Sequence, residues 1–86
     1  MPVYFFHLRN KVVDVEDEEG VFLPNLEKAR EVALRAARDT LCQDMRTGVV
    51  DLRFRIEVTN ASGKVVHTIR LAEAFTVIGE GVPESD

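Results

Sequence analysis

The stretch YFFHLR, residues 4–9, decides the fold because successive side chains of a β-strand point to opposite faces of the sheet. One face of this strand is apolar and carries Tyr4, Phe6 and Leu8. The other face carries Phe5, His7 and Arg9. A chain of 86 residues has room for one core, which covers one of these faces. The sequence therefore raises the question of what covers the second.

The composition is that of one soluble globular domain. Of the residues, 45% are hydrophobic and 30% charged, and the net charge of −4 disfavours nonspecific binding to nucleic acid. No run reaches the ~18 consecutive apolar residues of a membrane span, and no signal-peptide pattern follows Met1. The single cysteine, Cys42, allows no internal disulfide and has no metal-ligand spacing around it. We expect a cytoplasmic protein with no membrane partner and no cofactor.

A tight hairpin is predicted after the first strand because Asn10-Lys11 is short and polar. A loop of these two residues places Leu8 opposite Val13 in a second strand. It also places His7 opposite Asp14, which predicts a cross-strand pair of imidazole and carboxylate on the outer face. The same register keeps the apolar residues of both strands on one face.

The acidic run that follows, Asp14 to Glu19, ends the second strand, and Gly20 suits a backbone angle that other residues avoid. Five of its six residues are acidic. The run lacks the alternating oxygen ligands and the distal glutamate of an EF-hand loop. We therefore expect a solvated loop rather than a calcium site.

A long helix is predicted over residues 26–46, with Asn25 as the N-cap and Gly48 at the exit. At 100° per residue its apolar positions share one stripe, with Leu34 at its edge. The stripe consists of Leu26, Ala29, Ala33, Ala37 and Leu41. Its small alanines indicate a close approach to a sheet, and Cys42 is expected on the outer surface of the helix.

Two further strands, 52–59 and 64–71, follow the helix around a turn that contains Gly63. His67 faces the apolar side of the last strand if this turn has an even number of residues, and the outer side if a bulge makes the number odd. Residues 72–78 fit a turn of helix or an edge strand. The predicted order is ββαββ, an α+β fold with one four-stranded antiparallel sheet and the helix on one face. We expect residues 1–78 to form one domain and residues 79–86 to form a flexible tail.

The chain resembles a family of short proteobacterial proteins that is catalogued as a domain of unknown function. The resemblance covers roughly residues 2–76 and is carried by the motifs YFFH at 4–7, DEEG at 17–20, LPNLE at 23–27 and EVT at 57–59. It implies a cytoplasmic bacterial protein but no activity. Asn10-Lys11 departs from the glycine-containing turn of that family. A looser likeness, Asp17-x-x-Gly20 followed by a helix, is similar to HicB-type antitoxins, which occlude a partner toxin.

The candidate interaction surface is the outer face of the sheet. It consists of Phe5, His7, Asp14, Arg53 and Arg55. His7 beside Asp14 could act as a base, but no nucleophile accompanies the pair, so no catalytic residue is predicted. A lone histidine such as His67, without a second ligand nearby, predicts no metal site.

An exposed phenylalanine bordered by both signs of charge favours a protein partner. We therefore expect a non-catalytic interaction or regulatory module that homodimerises through the outer sheet face or an edge strand. The alternative is an antitoxin-like domain that binds a toxin or nucleic acid. The C-terminal segment could also cover Phe5.

Overall fold

The computed structural model describes residues 1–81 and has the predicted α+β architecture, one antiparallel sheet with a single long helix. Its elements are β1 (Val3–Arg9), β2 (Asp14–Val15), β3 (Val21–Phe22), α1 (Leu26–Thr47), β4 (Arg55–Thr59) and β5 (Val65–Arg70). A short 3-10 helix, Leu71–Glu73, follows. The sheet has one more short strand than expected, β3, and its order is β2-β1-β4-β5 with β3 beside β1.

The strands β2 and β3 form one interrupted edge strand along β1. Leu8 pairs with Val15 in β2, and Val3 pairs with Phe22 in β3. Between these two pairings, residues 16–20 lie opposite residues 5–7 of β1. Five residues cannot pair one to one with three, so residues 16–20 leave the sheet as a loop. We call this segment the acidic loop.

The predicted two-residue hairpin is wrong, because the loop between β1 and β2 contains residues 10–13. The Asn10 side chain accepts hydrogen bonds from the backbone N–H of Val12 and of Val13, and the Asn10 N–H donates to the Val13 carbonyl. This side-chain turn lengthens the loop. Arg9, not His7, therefore pairs with Asp14. The slip is two residues, so each side chain keeps its predicted face.

The helix α1 begins and ends as its capping residues predict. The Asn25 side chain accepts a hydrogen bond from the Lys28 N–H at 2.9 Å, and Gly48 closes the last turn with a φ of 83°. Three alanines of the predicted stripe are fully buried against the sheet: Ala29, Ala33 and Ala37. Their size lets the helix lie close to the strands, as predicted.

The core lies between α1 and one face of β1, β4 and β5. Its other buried members are Tyr4, Leu23, Ile56, Val58, Leu71 and Ala74. Phe6 and Leu8 pack against this core, but Val15 is 53% exposed because β2 lies at the edge of the sheet. The inward face of β1 is thus as predicted, whereas the second strand contributes little to the core.

The predicted strands 52–59 and 64–71 both begin later than expected, and the second also ends one residue earlier. Residues 51–54 form a turn, so Leu52 is exposed rather than inward. A bulge separates the pairs Val58–His67 and Thr59–Val65. His67 is opposite the buried Val58 and therefore faces the helix. Burial, and next the Arg30 cation, lower the pKa of His67 below its usual value.

The segment after β5 starts with the 3-10 helix and has no regular structure over residues 75–78, which decides between the two forms expected for residues 72–78. Residues 82–86 of the predicted tail lie outside the described residues. Within residues 1–81, no helix has the length and apolar character needed to cross a bilayer.

Candidate interaction surface

Asp17 joins the acidic loop to the middle of β1. One of its carboxylate oxygens, Oδ2, accepts a hydrogen bond from the Phe6 N–H at 3.0 Å. The other, Oδ1, accepts from the N–H groups of Glu19 and Gly20 at 3.2 Å each. The Phe6 N–H points to the interrupted edge strand and would otherwise have no strand partner there. A side chain thus supplies the hydrogen bond that the interrupted edge strand does not.

His7 holds the loop from the outer face of the sheet. Its Nδ1 accepts a hydrogen bond from the Asp17 N–H at 3.1 Å, and its Nε2 lies 2.9 Å from the Thr59 hydroxyl oxygen. With Nδ1 accepting from Asp17, the proton of a neutral ring lies on Nε2, which then donates to the Thr59 hydroxyl. A protonated ring would donate from Nδ1 to Glu16, whose Oε2 lies 3.0 Å away, and would leave the Asp17 N–H without this acceptor. His7 is only 5% exposed, so its hydrogen bonds are made inside the protein.

Gly20 closes the acidic loop over Phe5. A Cβ added at Gly20 would lie 2.8 Å from Cε2 of the Phe5 ring and 2.8 Å from Cγ2 of Val3. Gly20 also has a φ of 73°, as its predicted backbone angle required. The Phe5 ring stacks on His7 with a centroid separation of 6.4 Å and an interplanar angle of 7°. The loop of the chain itself therefore covers the aromatic residue that was expected to face a partner.

The rest of the outer face near β1 is a network of ion pairs centred on Arg9. The Arg9 guanidinium contacts the carboxylates of Asp14, Glu16 and Glu57, and Arg55 contacts Glu57 at 3.0 Å. The hydrogen bond that Arg9 donates to Glu16, opposed in part by burial, raises the pKa of Arg9 above its usual value. The predicted pair of His7 and Asp14 is therefore wrong, because Asp14 forms its ion pair with Arg9.

Arg53 does not lie on the sheet face where the alternating pattern placed it. It belongs to the turn before β4, where its side chain donates two hydrogen bonds of 2.9 Å to the Asp51 carboxylate. These bonds lower the pKa of Asp51 to about 2. The structure therefore brings Phe5, His7, Asp14 and Arg55 to one face and leaves Arg53 apart.

The charged groups of the outer face contact one another, although the buried Nε of Arg9, 2.9 Å from the Glu57 carboxylate, makes no hydrogen bond of regular geometry. The residues described contain no group of three or more His, Cys, Asp or Glu side chains placed to hold a metal ion. Burial alone would raise the pKa of Asp17, but the hydrogen bonds from the backbone N–H groups of Phe6, Gly20 and Glu19 outweigh it and lower that pKa. The Asp17 carboxylate is therefore charged near neutral pH and acts as a structural acceptor.

A second surface, which we call the apolar groove, lies where α1 extends past the sheet. It is a cleft of about 560 Å³ with almost wholly apolar walls. Its lining consists of Arg38, Leu41, Cys42, Met45, Val50, Leu52, Ala74 and Phe75. Three large apolar side chains of the lining are exposed: Met45 at 67%, Leu52 at 45% and Phe75 at 38%. Contiguous exposed apolar surface of this kind marks an interaction site.

This groove was not predicted, although the sequence contains a signal for it. Residues 29, 33, 37, 41 and 45 are all apolar at a spacing of four, so the stripe continues beyond the three buried alanines to Leu41 and Met45. The 22 residues of α1 span about 33 Å, whereas the seven of β1 span about 23 Å. The last turns of the helix therefore extend beyond the strands and leave their stripe uncovered.

A family model for a domain of unknown function, DUF6894, matches residues 3–72. The chain belongs to this family. Comparison with curated proteins and with solved structures found no match. The DUF6894 match includes β1, the acidic loop and all their contacts described above. It ends before Ala74 and Phe75, which form one wall of the apolar groove.

Replacement of Gly20 tests the contact between the acidic loop and Phe5 in this DUF6894 domain. Gly20→Ala combines a positive φ with a steric clash, and we expect it to lower the free energy of unfolding by about 2–4 kcal/mol. Gly63 has a φ of 82° and open space around it, so Gly63→Ala should cost only about 1 kcal/mol. Urea unfolding followed by circular dichroism measures both, and equal losses would show that the acidic loop does not pack on Phe5.

Neutralisation of Asp17 tests the hydrogen bonds that anchor the acidic loop. Asp17→Asn keeps one acceptor oxygen and turns an NH₂ group toward backbone donors, so we expect a loss of about 1–3 kcal/mol in the free energy of unfolding. Glu18→Gln removes the neighbouring charge and should change stability by less than about 0.5 kcal/mol. A similar effect of the two substitutions in urea unfolding would contradict the anchoring role.

The pKa of Asp17 also predicts how this difference depends on pH. Because folding lowers that pKa, the carboxylate contributes its full stability above the ordinary value of 3.8, and the contribution is lost as pH falls through the folded value. The stability gap between the wild type and Asp17→Asn should therefore be constant from pH 7 to 5 and shrink in stronger acid. A gap that widens in acid would contradict the sign of the shift.

Proposed function

We propose that this DUF6894 domain is a small non-catalytic protein-interaction module that homodimerises through the free edge of its sheet. The observation that carries this proposal is the position of β5, which pairs with β4 on one side. On its other side, no strand of residues 1–81 is bonded to it. Unpaired edge strands are surfaces on which a further strand can add.

The outer sheet face supports a dimer less well than its sequence pattern predicts. Phe5 lies beneath Gly20, and His7 bonds to Thr59 and to the acidic loop. The neighbouring guanidinium of Arg9 is bound to carboxylates of the same chain. A partner on this face would have to compete with contacts that are already made, so the geometry favours the edge.

Of the two edges of the sheet, only β5 is continuous. The opposite edge consists of β2 and β3, with two residues each, and the acidic loop interrupts them. An interruption of this kind prevents an added strand from following the edge. No loop interrupts the free side of β5, whose six residues include the half-exposed Val65 and one bulge beside it.

The hydrogen bonds around β5 indicate which backbone groups are free. The Leu71 N–H donates to the Phe54 carbonyl at 3.1 Å, so the N–H groups of odd-numbered residues in this part of the strand point toward β4. The N–H groups of Thr68 and Arg70 then point away from the sheet. That of Arg70 donates to the Glu73 side chain at 3.0 Å. Thr68 is thus the central free position, about which two antiparallel copies of β5 can pair across a twofold axis.

The nucleic-acid alternative gains no support from the described arginines that were expected to form a basic platform. Arg53 and Arg55 each hold a carboxylate, and the net charge of the chain is −4. A phosphate backbone would have to displace these carboxylates before it could release counterions.

Thr68→Pro tests the proposed edge pairing. Proline removes the N–H that faces away from the sheet and leaves the bonds to β4 in place, so the variant should fold and be a monomer. Thr68→Val keeps the N–H and should remain a dimer. We expect size-exclusion chromatography with light scattering to give twice the 9.7 kDa chain mass for the wild type and Thr68→Val.

Two results would overturn this proposal. One is a wild-type protein that stays monomeric at high micromolar concentration. The other is a dimer that persists in folded Thr68→Pro, which would place the contact between copies elsewhere. Thermal unfolding of each variant establishes that it is folded before its mass is interpreted.

A further inference from the structure

The apolar groove has the size and the chemistry of a site for a small molecule. Its volume of about 560 Å³ lies within the usual range of ligand sites, about 300–1,000 Å³. Such sites combine apolar walls with a few polar groups that orient the ligand. Here the single charged residue in the lining is Arg38.

The positions of the lining residues define the two ends of the groove. Arg38, Leu41, Cys42 and Met45 follow one another along α1 over about 10 Å. At the Arg38 end, its Nε donates to the Ala74 carbonyl at 2.9 Å and so holds the wall formed by Ala74 and Phe75. At the other end, the Asp51 N–H donates to the Asp44 carboxylate at 3.3 Å, which brings Val50 and Leu52 to the last turns of the helix.

The charge of Arg38 is not balanced by an ion pair. Among residues 1–81, no carboxylate lies within salt-bridge distance of its guanidinium, whereas Arg9, Arg53 and Arg55 each contact one. The bond to Ala74 uses Nε alone. Arg38 is exposed, and its two terminal nitrogens make no hydrogen bond among residues 1–81, so they are available to a ligand in the groove. A carboxylate is the group that this fork binds best.

We propose that the apolar groove binds an amphiphile with an unbranched apolar chain and a carboxylate head, such as a medium-chain fatty acid. The chain lies along Leu41, Cys42 and Met45, and the head lies at the rim against Arg38. The groove supplies apolar area for the chain, and the unpaired guanidinium supplies the charge that selects the head. This assignment is independent of a dimer at β5.

Cys42 provides a direct readout because it is the single cysteine of the chain, is exposed and lines the groove. We expect decanoate, used below its micellar concentration, to slow the alkylation of Cys42 by iodoacetamide in a saturable manner. Each methylene added between hexanoate and decanoate should tighten binding by up to about fourfold while it still enters the groove. Decanol, with the same chain and no charge, should bind about fivefold more weakly than decanoate.

Two substitutions on α1 separate the role of Arg38 from a general effect of charge. Arg38→Gln should reduce decanoate binding to the level of decanol and leave decanol binding unchanged. Arg35→Gln removes the same charge from an exposed position outside the groove lining and should leave the preference for decanoate intact. Circular dichroism verifies the fold of each variant.

Three results would overturn this inference, and the first two need only the wild type. The first is a lack of saturable protection of Cys42 by decanoate. The second is equal protection by decanoate and decanol, which would remove the carboxylate from the proposal. The third is protection that rises with protein concentration in the absence of any amphiphile, which would identify a second copy of the chain as the occupant of the groove.

Discussion

The hydrogen bonds of Asp17 with β1 are the constraint on which the rest of the structure depends. The edge strand beside β1 is interrupted, and a bare interruption would leave the Phe6 N–H without a partner at the centre of the sheet. The Asp17 carboxylate replaces the missing strand bond, and the Asp17 N–H binds His7 in return. This reciprocal attachment keeps residues 16–20 on the outer face of β1. It determines which parts of the surface stay open to partners.

The helix and the faces of the strands follow from the sequence because both depend on periodicity alone. Asn25 and Gly48 have the chemistry of helix caps, and the alanine stripe indicates which face of the helix packs on the sheet. The register of the first hairpin does not follow in the same way. It depends on the Asn10 side chain, which bonds to two backbone N–H groups and extends the loop from two residues to four. The alternating pattern cannot detect a shift of two residues in the pairing register, because each side chain then stays on the same face of the sheet.

The outer sheet face could be predicted only in part and the apolar groove not at all, because both depend on how separate elements meet. The pattern identified Phe5 and His7 as outward-facing residues but gave no sign that a loop would cover them, because that depends on how Asp17 and Gly20 meet β1. The apolar groove arises from a mismatch in length between α1 and the strands, which appears only when the strand boundaries are known. Its signal in the sequence, the extension of the stripe to Met45, looks like core until the sheet proves too short to cover it.

Amide hydrogen exchange at residues 6, 17 and 18 tests most directly whether the acidic loop is bound to β1. The Phe6 N–H donates to the Asp17 side chain in the acidic loop, and the Asp17 N–H donates to the His7 ring on β1. No hydrogen bond of the Glu18 N–H is found among the described residues. Exchange of hydrogen-bonded amides requires local opening. We predict that Phe6 and Asp17 exchange as slowly as the amides of the β1–β4 ladder, while Glu18 exchanges at the rate of an open loop. An Asp17 amide that exchanges as fast as that of Glu18 would contradict it.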